Sequence, residues 1–185
     1  MFHQTISDPL FKNDDMKNIL LMVSLLLSLT SFQTNTENNH YEKDNYQVDY
    51  PTDWELNTSG LMGSKFYLFS PLDEPGDDFR ENIGLIIQDL QGQKISMEEY
   101  VELSLNQLPQ MLSELVIEKD EAVSKDCHSL QYTFQQGNFH LRILQYVWLQ
   151  EGSAYILTFT SEVDQFEKHL PTAQSILDSF EIVKE

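Results

Sequence analysis

Apolar and polar residues alternate along much of the chain after Tyr46, and where the alternation stops the apolar spacing lengthens to that of a helix. Tyr46, Val48 and Tyr50 are two apart and end at Pro51, a short strand followed by the turn Pro51-Thr52-Asp53. A short extended piece is expected over Trp54 to Asn57, then a strand over Lys65 to Phe69 after Gly60 and Gly63. The β-branched run Ile83 to Leu90 (IGLIIQDL) predicts a central strand. An antiparallel meander is expected from Val116–Val123, from Leu130, Tyr132 and Phe134 alternating with polar neighbours, from Phe139 to Leu149, and from Ala154 to Thr160. Its turns fall at Gln136-Gly137-Asn138, which would pair position 134 with 140, and at Glu151-Gly152-Ser153. Phe139, Leu141, Ile143, Val147 and Leu149 share one face of their strand, and His140, Arg142, Leu144, Tyr146 and Trp148 share the other. Apolar side chains on both faces mean that both are covered at the far end of that strand.

Two stretches have helical spacing. Ser96-Met97-Glu98-Glu99 has the form of a capping box, in which the serine hydroxyl accepts from the Glu99 amide and the Glu99 carboxylate reaches back. Met97, Val101, Leu105, Leu108 and Leu112 then step by four, four, three and four. Pro109 is expected to end or kink this helix near Leu108. Ser161, with Asp164 three residues on, is expected to cap a second helix carrying Phe166, Leu170, Ala173 and Leu177. Pro171 either kinks that helix or begins a second short one. Phe180, Ile182 and Val183 read as a terminal strand.

Several local phrases, taken in order, make the chain resemble the PsbP family and its relatives in the Mog/PsbP/DcrB-like fold. Tyr46 to Trp54 (YQVDYPTDW) is similar to the family's opening strand and Tyr-Pro-x-x-Trp turn. Phe69-Ser70-Pro71 followed by Phe79-Arg80-Glu81-Asn82-Ile83 resembles its Ser-Pro, acidic loop and strand entry. Tyr155 to Thr160, Phe166 and Ile176 to Phe180 resemble its last strand, helix and Ser-Phe exit. The resemblance covers residues 46 to 183. It implies an α+β fold, an α/β/α sandwich with one twisted, mainly antiparallel sheet flanked by helices. It also implies non-enzymatic work, since members of the fold act as extrinsic photosystem II subunits, a Ran-binding factor, chaperones of secreted effectors or exported proteins of unknown role.

Charge narrows the field of partners. The 185 residues carry a formal net charge of −19, which disfavours nucleic acid and anionic lipid headgroups. Cys127 is the only cysteine, so no intrachain disulfide is possible. The segment from Met16, MKNILLMVSLLLSLTSFQ, has one lysine, an apolar run from Ile19 to Leu29 and small polar residues after it. That run is too short to span a hydrocarbon core of about 30 Å and suits a secretory signal peptide, with translation starting at Met16 rather than Met1. Residues 1–31 are thus read as leader plus signal, residues 32–45 as a flexible lead-in, and residues 46–185 as the domain. No cysteine follows the apolar run, so a lipoprotein anchor is not expected.

Candidate chemistry is sparse. Cys127 and His128 are adjacent in a strand, so they point to opposite faces and make a poor nucleophile and base. Asp126, His128 and His140 have zinc-ligand chemistry, but the meander register keeps the two histidines apart. Five acids crowd Asp73 to Glu81, yet counting from Asp73 an EF-hand pattern fails at Pro75 and Gly84, which leaves only an irregular calcium loop of Asp73, Asp77 and Asp78. No catalytic residue, cofactor or resident metal is expected. The function expected is that of an exported, non-catalytic accessory or binding protein with an unspecified protein partner. The alternative is a chaperone or immunity-like protein that cradles an apolar helix of its partner.

Overall fold

Strand alternation and two helices organise residues 37–183, the part of the chain that the computed structural model describes. In chain order these are β1 (Asn38–Lys43), β2 (Tyr46–Pro51), β3 (Glu55–Asn57), β4 (Phe66–Phe69), β5 (Asn82–Asp89), α1 (Met97–Met111), β6 (Ser113–Ser124), β7 (Cys127–Gln136), β8 (Phe139–Gln150), β9 (Ser153–Glu162), α2 (Phe166–Ser179) and β10 (Glu181–Ile182). A 3-10 turn at Leu61–Gly63 precedes β4. The leader, the signal-like run and the start of the lead-in lie outside the described residues.

Seven strands form the main sheet in the order β3-β4-β5-β9-β8-β7-β6, and every described pairing is antiparallel. A second sheet, β1-β2-β10, departs from the single sheet expected. Both edges of β2 are taken by β1 and β10, so β2 cannot join the main sheet, and Tyr46, Val48 and Tyr50 pack instead with Phe66, Leu68 and Phe180 in the principal core. The lead-in reading also needs correction, because Asn38–Lys43 is a strand whose residues are mostly exposed. It is held by main-chain pairing, with Tyr41 resting on Phe66 at 5.9 Å, and main-chain pairing leaves no hydrophobic period to read.

The two faces of the main sheet have different covers. Leu144, Tyr155, Leu157 and Phe159 meet α2 through Phe166, Ala173, Ile176 and Leu177. On the opposite face Leu130, Tyr132, Phe134, Leu141 and Ile143 meet Leu105 and Leu108 of α1 and its C-cap Leu112, while Tyr100 packs with Val147 and Ala154. This is the α/β/α arrangement, and the two apolar faces of β8 belong to different layers.

Both reciprocal bonds of the Ser96–Glu99 capping box are present. Pro109 does not end α1 near Leu108: the helix runs to Met111, and the Leu112 amide still donates to the Leu108 carbonyl at 2.9 Å. Only the bond that a residue-109 amide would donate is forfeited. Pro171 likewise sits inside an unbroken α2. Ser161 is not the α2 cap, which is Gln165, because β9 extends to Glu162 and turns Ser161 inward. The β7–β8 turn is one residue tighter than expected: Gln136 faces Phe139 and Gln135 faces His140, with Gly137 taking the left-handed conformation at φ 61°.

Candidate functional site

The acidic loop between β4 and β5 is organised by its own side chains. One Asp77 oxygen accepts from the Asp73 amide at 3.0 Å and the other from the Phe79 amide at 3.1 Å. Asp73 faces α2, where its carboxylate meets Lys168 Nζ at 2.5 Å and His169 Nε2 at 3.0 Å. Those two partners hold the Asp73 carboxyl below the usual range. Asp73 and Asp77 therefore point their carboxylates at different partners, and Asp78 is exposed. The exit from the loop is anchored by Phe79 against Phe139 at 5.2 Å, and by Arg80, which donates to the Ser70 and Phe69 carbonyls and reaches Glu55 at 2.8 Å.

Glu81 was passed over in the sequence and is the most buried of the described acids at 2% exposed. Its oxygens accept from Ser70 Oγ at 3.3 Å and Ser161 Oγ at 3.2 Å, with His169 Nε2 at 3.6 Å. A signal was present, since Glu81 has the same strand parity as Ile83, Leu85 and Ile87, all of which face the α2 side. Asp73, Glu81 and His169 each offer one ligand atom within 4.8 Å of the others, and this is where donors for a cation converge among the described residues. Lys168 already supplies a positive charge there, and the two serines already serve Glu81. Ser70 and Ser161 are 1% and 0% exposed, which seals them from any substrate. The cluster ties the acidic loop, the end of β9 and the first turn of α2 together. Nearby, burial raises the Glu162 carboxyl, helped by the charges of Glu81, Asp77, Asp78 and Asp164.

The histidines and the cysteine stay apart. His128 pairs with Asp120 on β6 at 2.6 Å and lies opposite Val147, whereas His140 lies opposite Gln135 at the other end of the hairpin. Cys127 is buried on the other face of β7, and burial pushes its thiol up to about 11.

A cleft of about 350 Å³ opens between α1 and the half of the sheet that α1 leaves uncovered. The Leu105-Leu108-Leu112 stripe draws the helix over β7 and β8, so the α1-side positions of β4, β5 and β9 stay accessible. Those positions are Tyr67 on β4, Asn82, Gly84, Ile86 and Gln88 on β5, and Ile156, Thr158 and Thr160 on β9. The opposite face of β5 is Ile83, Leu85 and Ile87, so one strand serves a core and a cleft. Tyr67 lies against Gly84 so closely that a Cβ there would be 2.6 Å from its Cε1. The Tyr100 hydroxyl donates to Gln88 Oε1 at 2.9 Å, while Tyr132 and Thr158 approach Gln145 Oε1 only to 3.5 Å. Ile86, 39% exposed, and Met111, 77% exposed, flank the cleft. No Asp, Glu, Lys, Arg or His lines it. On the other side of α1 a wider groove of about 750 Å³ has Met97, Val101 and Leu105 with Glu98, Glu102 and Asp120 along it.

Comparison with known proteins places the fold. The family model described as PsbP matches residues 36–182. No curated protein matches. The solution structure of the cyanobacterial PsbP (CyanoP) from Synechocystis is similar at TM-score 0.58 and 17% identity, covering 85% of this chain and 99% of that one. A crystal structure of a protein of unknown function from Pseudomonas aeruginosa is similar at TM-score 0.56 and 15% identity, covering 77% and 95%. That of LpqN from Mycobacterium tuberculosis, described as involved in cell envelope biogenesis, is similar at TM-score 0.54 and 12% identity, covering 82% and 88%. At these identities the structures share the fold. Among the described residues no helix is long and apolar enough to cross a membrane.

Proposed function

The chain belongs to the PsbP family, and from that premise we propose that it is an exported, non-catalytic accessory protein that recognises its partner through the cleft between α1 and the β4-β5-β9 half of the sheet. The observation that carries this reading is the composition of the cleft, which is lined by hydroxyls, amides and apolar side chains and by no Asp, Glu, Lys, Arg or His. The buried cluster around Glu81 is closed to substrate and acts as a clamp on the fold. Export is supported by the apolar run after Met16, and the described role of LpqN in the cell envelope suits the same compartment. The mature chain then begins near residue 32, and its net negative charge disfavours nucleic acid as the partner.

A second reading is favoured by the wider groove beside α1, whose apolar residues are accompanied by Glu98 and Glu102, by the paired Asp120 and His128, and by Lys125. A chaperone or immunity-like protein would seat an apolar helix with basic flanks there.

Affinity capture with the full chain expressed in its own cells tests the first reading, using the exported fraction and running it with and without chelator. A partner retained by the wild type in both conditions and lost with Gln107→Ala is expected. Capture unchanged by Gln107→Ala, or a chain found only in the cytoplasm with its N-terminal segment intact, would overturn it.

A further inference from the structure

We propose that the cleft between α1 and the β4-β5-β9 face takes a short, uncharged oligosaccharide. The inference deepens the reading of that cleft as the recognition site and rests on it.

Charge comes first. The chain carries 30 acidic side chains and a net charge of −19, yet none of the residues lining this cleft is Asp, Glu, Lys, Arg or His. An anionic ligand would enter against the net charge of the molecule without a cation to receive it. A cationic ligand would find its carboxylates elsewhere, in the groove beside Glu98 and Glu102. A neutral ligand is the one that gains most from this lining.

The polar groups specify what kind of neutral ligand. Tyrosine and threonine hydroxyls donate and accept, and glutamine and asparagine amides present both functions on one group. Tyr67, Tyr100, Thr158, Thr160, Gln107 and Gln145 bring these to one cleft. The 3.5 Å approaches of Tyr132 and Thr158 to Gln145 Oε1 are too long to be strong, and neither uses the Gln145 amide N–H groups. Sugar hydroxyls likewise donate and accept, so they match this set better than an apolar chain does.

The aromatic element fits the same class. Tyr67 is half-buried, packed on the bare backbone of Gly84 and stacked on Phe69 with ring centroids 5.4 Å apart. An aromatic ring fixed in the wall of a polar cleft offers an apolar surface for the C–H face of a pyranose. The volume lies in the roughly 300–1,000 Å³ range of small-ligand clefts.

A peptide suits the site less well. Its main chain would seek a free strand edge, but β5 and β9 are interior strands whose neighbours lie on both sides. A docked apolar helix would need a continuous apolar floor, and this one interleaves Ile86 and Ile156 with Asn82, Thr158 and Thr160.

The test is calorimetric titration of the full chain with maltotriose, cellotriose and chitotriose, with trigalacturonate as the charged counterpart and an uncharged Asn/Gln hexapeptide, acetylated and amidated at its ends, as the peptide arm. At least one neutral trisaccharide is expected to bind, about tenfold or more tightly than trigalacturonate. Gln107→Ala, on the exposed side of α1, and Tyr67→Ala are each expected to weaken that binding by about tenfold, with Tyr67→Phe retaining most of it. Binding by none of the three sugars, tighter binding of trigalacturonate or the peptide, or sugar binding indifferent to both Gln107→Ala and Tyr67→Ala would overturn the proposal. Should the sugars fail while Gln107→Ala still abolishes partner capture, the ligand class falls and the cleft reading stands. Capture that survives Gln107→Ala removes the cleft reading itself.

Discussion

Ser161 Oγ shares its proton between the buried carboxylate of Glu81 at 3.2 Å and the Glu162 carbonyl at 2.9 Å, joining the end of β9 to the residue before β5. Ser161→Ala leaves a carboxylate oxygen at 2% exposure with one donor fewer. The expected loss is about 1–3 kcal/mol of unfolding free energy, read as a lower urea midpoint with an unchanged slope. The same substitution in a Glu81→Gln background should cost less, with a coupling of at least about 0.5 kcal/mol. A full additive loss would mean that the pair is not interacting.

Gly84 has no room for a side chain while Tyr67 keeps its place, because the added Cβ would sit 2.6 Å from Cε1 and 3.0 Å from Cδ1. Gly84→Ala should destabilise the fold by about 1–3 kcal/mol unless the ring moves. Combining it with Tyr67→Ala should recover part of the loss, since the clash is gone. Thermal unfolding of the two single variants and the double variant measures this directly.

Acid should weaken the loop clamp. Lys168 first and His169 second hold Asp73 below its ordinary value of 3.8, so its stabilisation is complete above that pH and is lost as the pH falls through the lowered value. Asp73→Asn should lower stability at pH 7 by about 0.5–1 kcal/mol, a figure discounted for solvent screening, and should flatten the decline below pH 4. Glu162 has the opposite sign. Burial raises it above 4.5, so its ionised form strains the fold at neutral pH and the strain is relieved as the pH falls. Glu162→Gln is therefore expected to raise the unfolding midpoint at pH 7 and to lose that advantage below about pH 4.5.

Cys127 should react slowly in the folded protein. It is buried, and burial raises its thiol to about 11, so little thiolate exists at pH 8. Labelling by an aromatic disulfide reagent is expected to be at least about a hundredfold slower than in urea. Equal rates would place Cys127 at the surface.

Calcium should leave the unfolding midpoint unchanged. Both Asp77 oxygens already accept from backbone amides, and Asp73 is already paired with Lys168 and His169. A rise of several degrees with millimolar calcium, reversed by chelator, would instead show that the acidic loop rearranges to bind it.

Two serines with the same local signature show where sequence reading holds. Ser96 and Ser161 are each followed three residues later by an acid, and Ser96 makes both bonds of its capping box. Ser161 does not cap α2, because β9 runs one residue past it and delivers its hydroxyl to Glu81. The motif records what the backbone can do locally, and the length of a paired strand overrides it. Glu81 was legible only as an acid at an inward parity, and its partners, Ser70 and Ser161, lie 11 and 80 positions away.

Periodicity by itself determined the strands from β2 to β9 apart from the exposed β6, the apolar stripe of α1 and the two covered faces of β8, because burying one face of a strand or helix imposes a period of its own. It also carried the family, through phrases spread in order along the chain. Only the tertiary structure decided that β2 leaves the main sheet for β1 and β10, that Glu81 lies inside, and that the Leu105-Leu108-Leu112 stripe sits over β7 and β8. Periodicity reports that a side chain is buried and is silent on what buries it. The cleft exists because one helix is too narrow to cover seven strands, and which strands it leaves bare depends on packing between residues far apart in the chain.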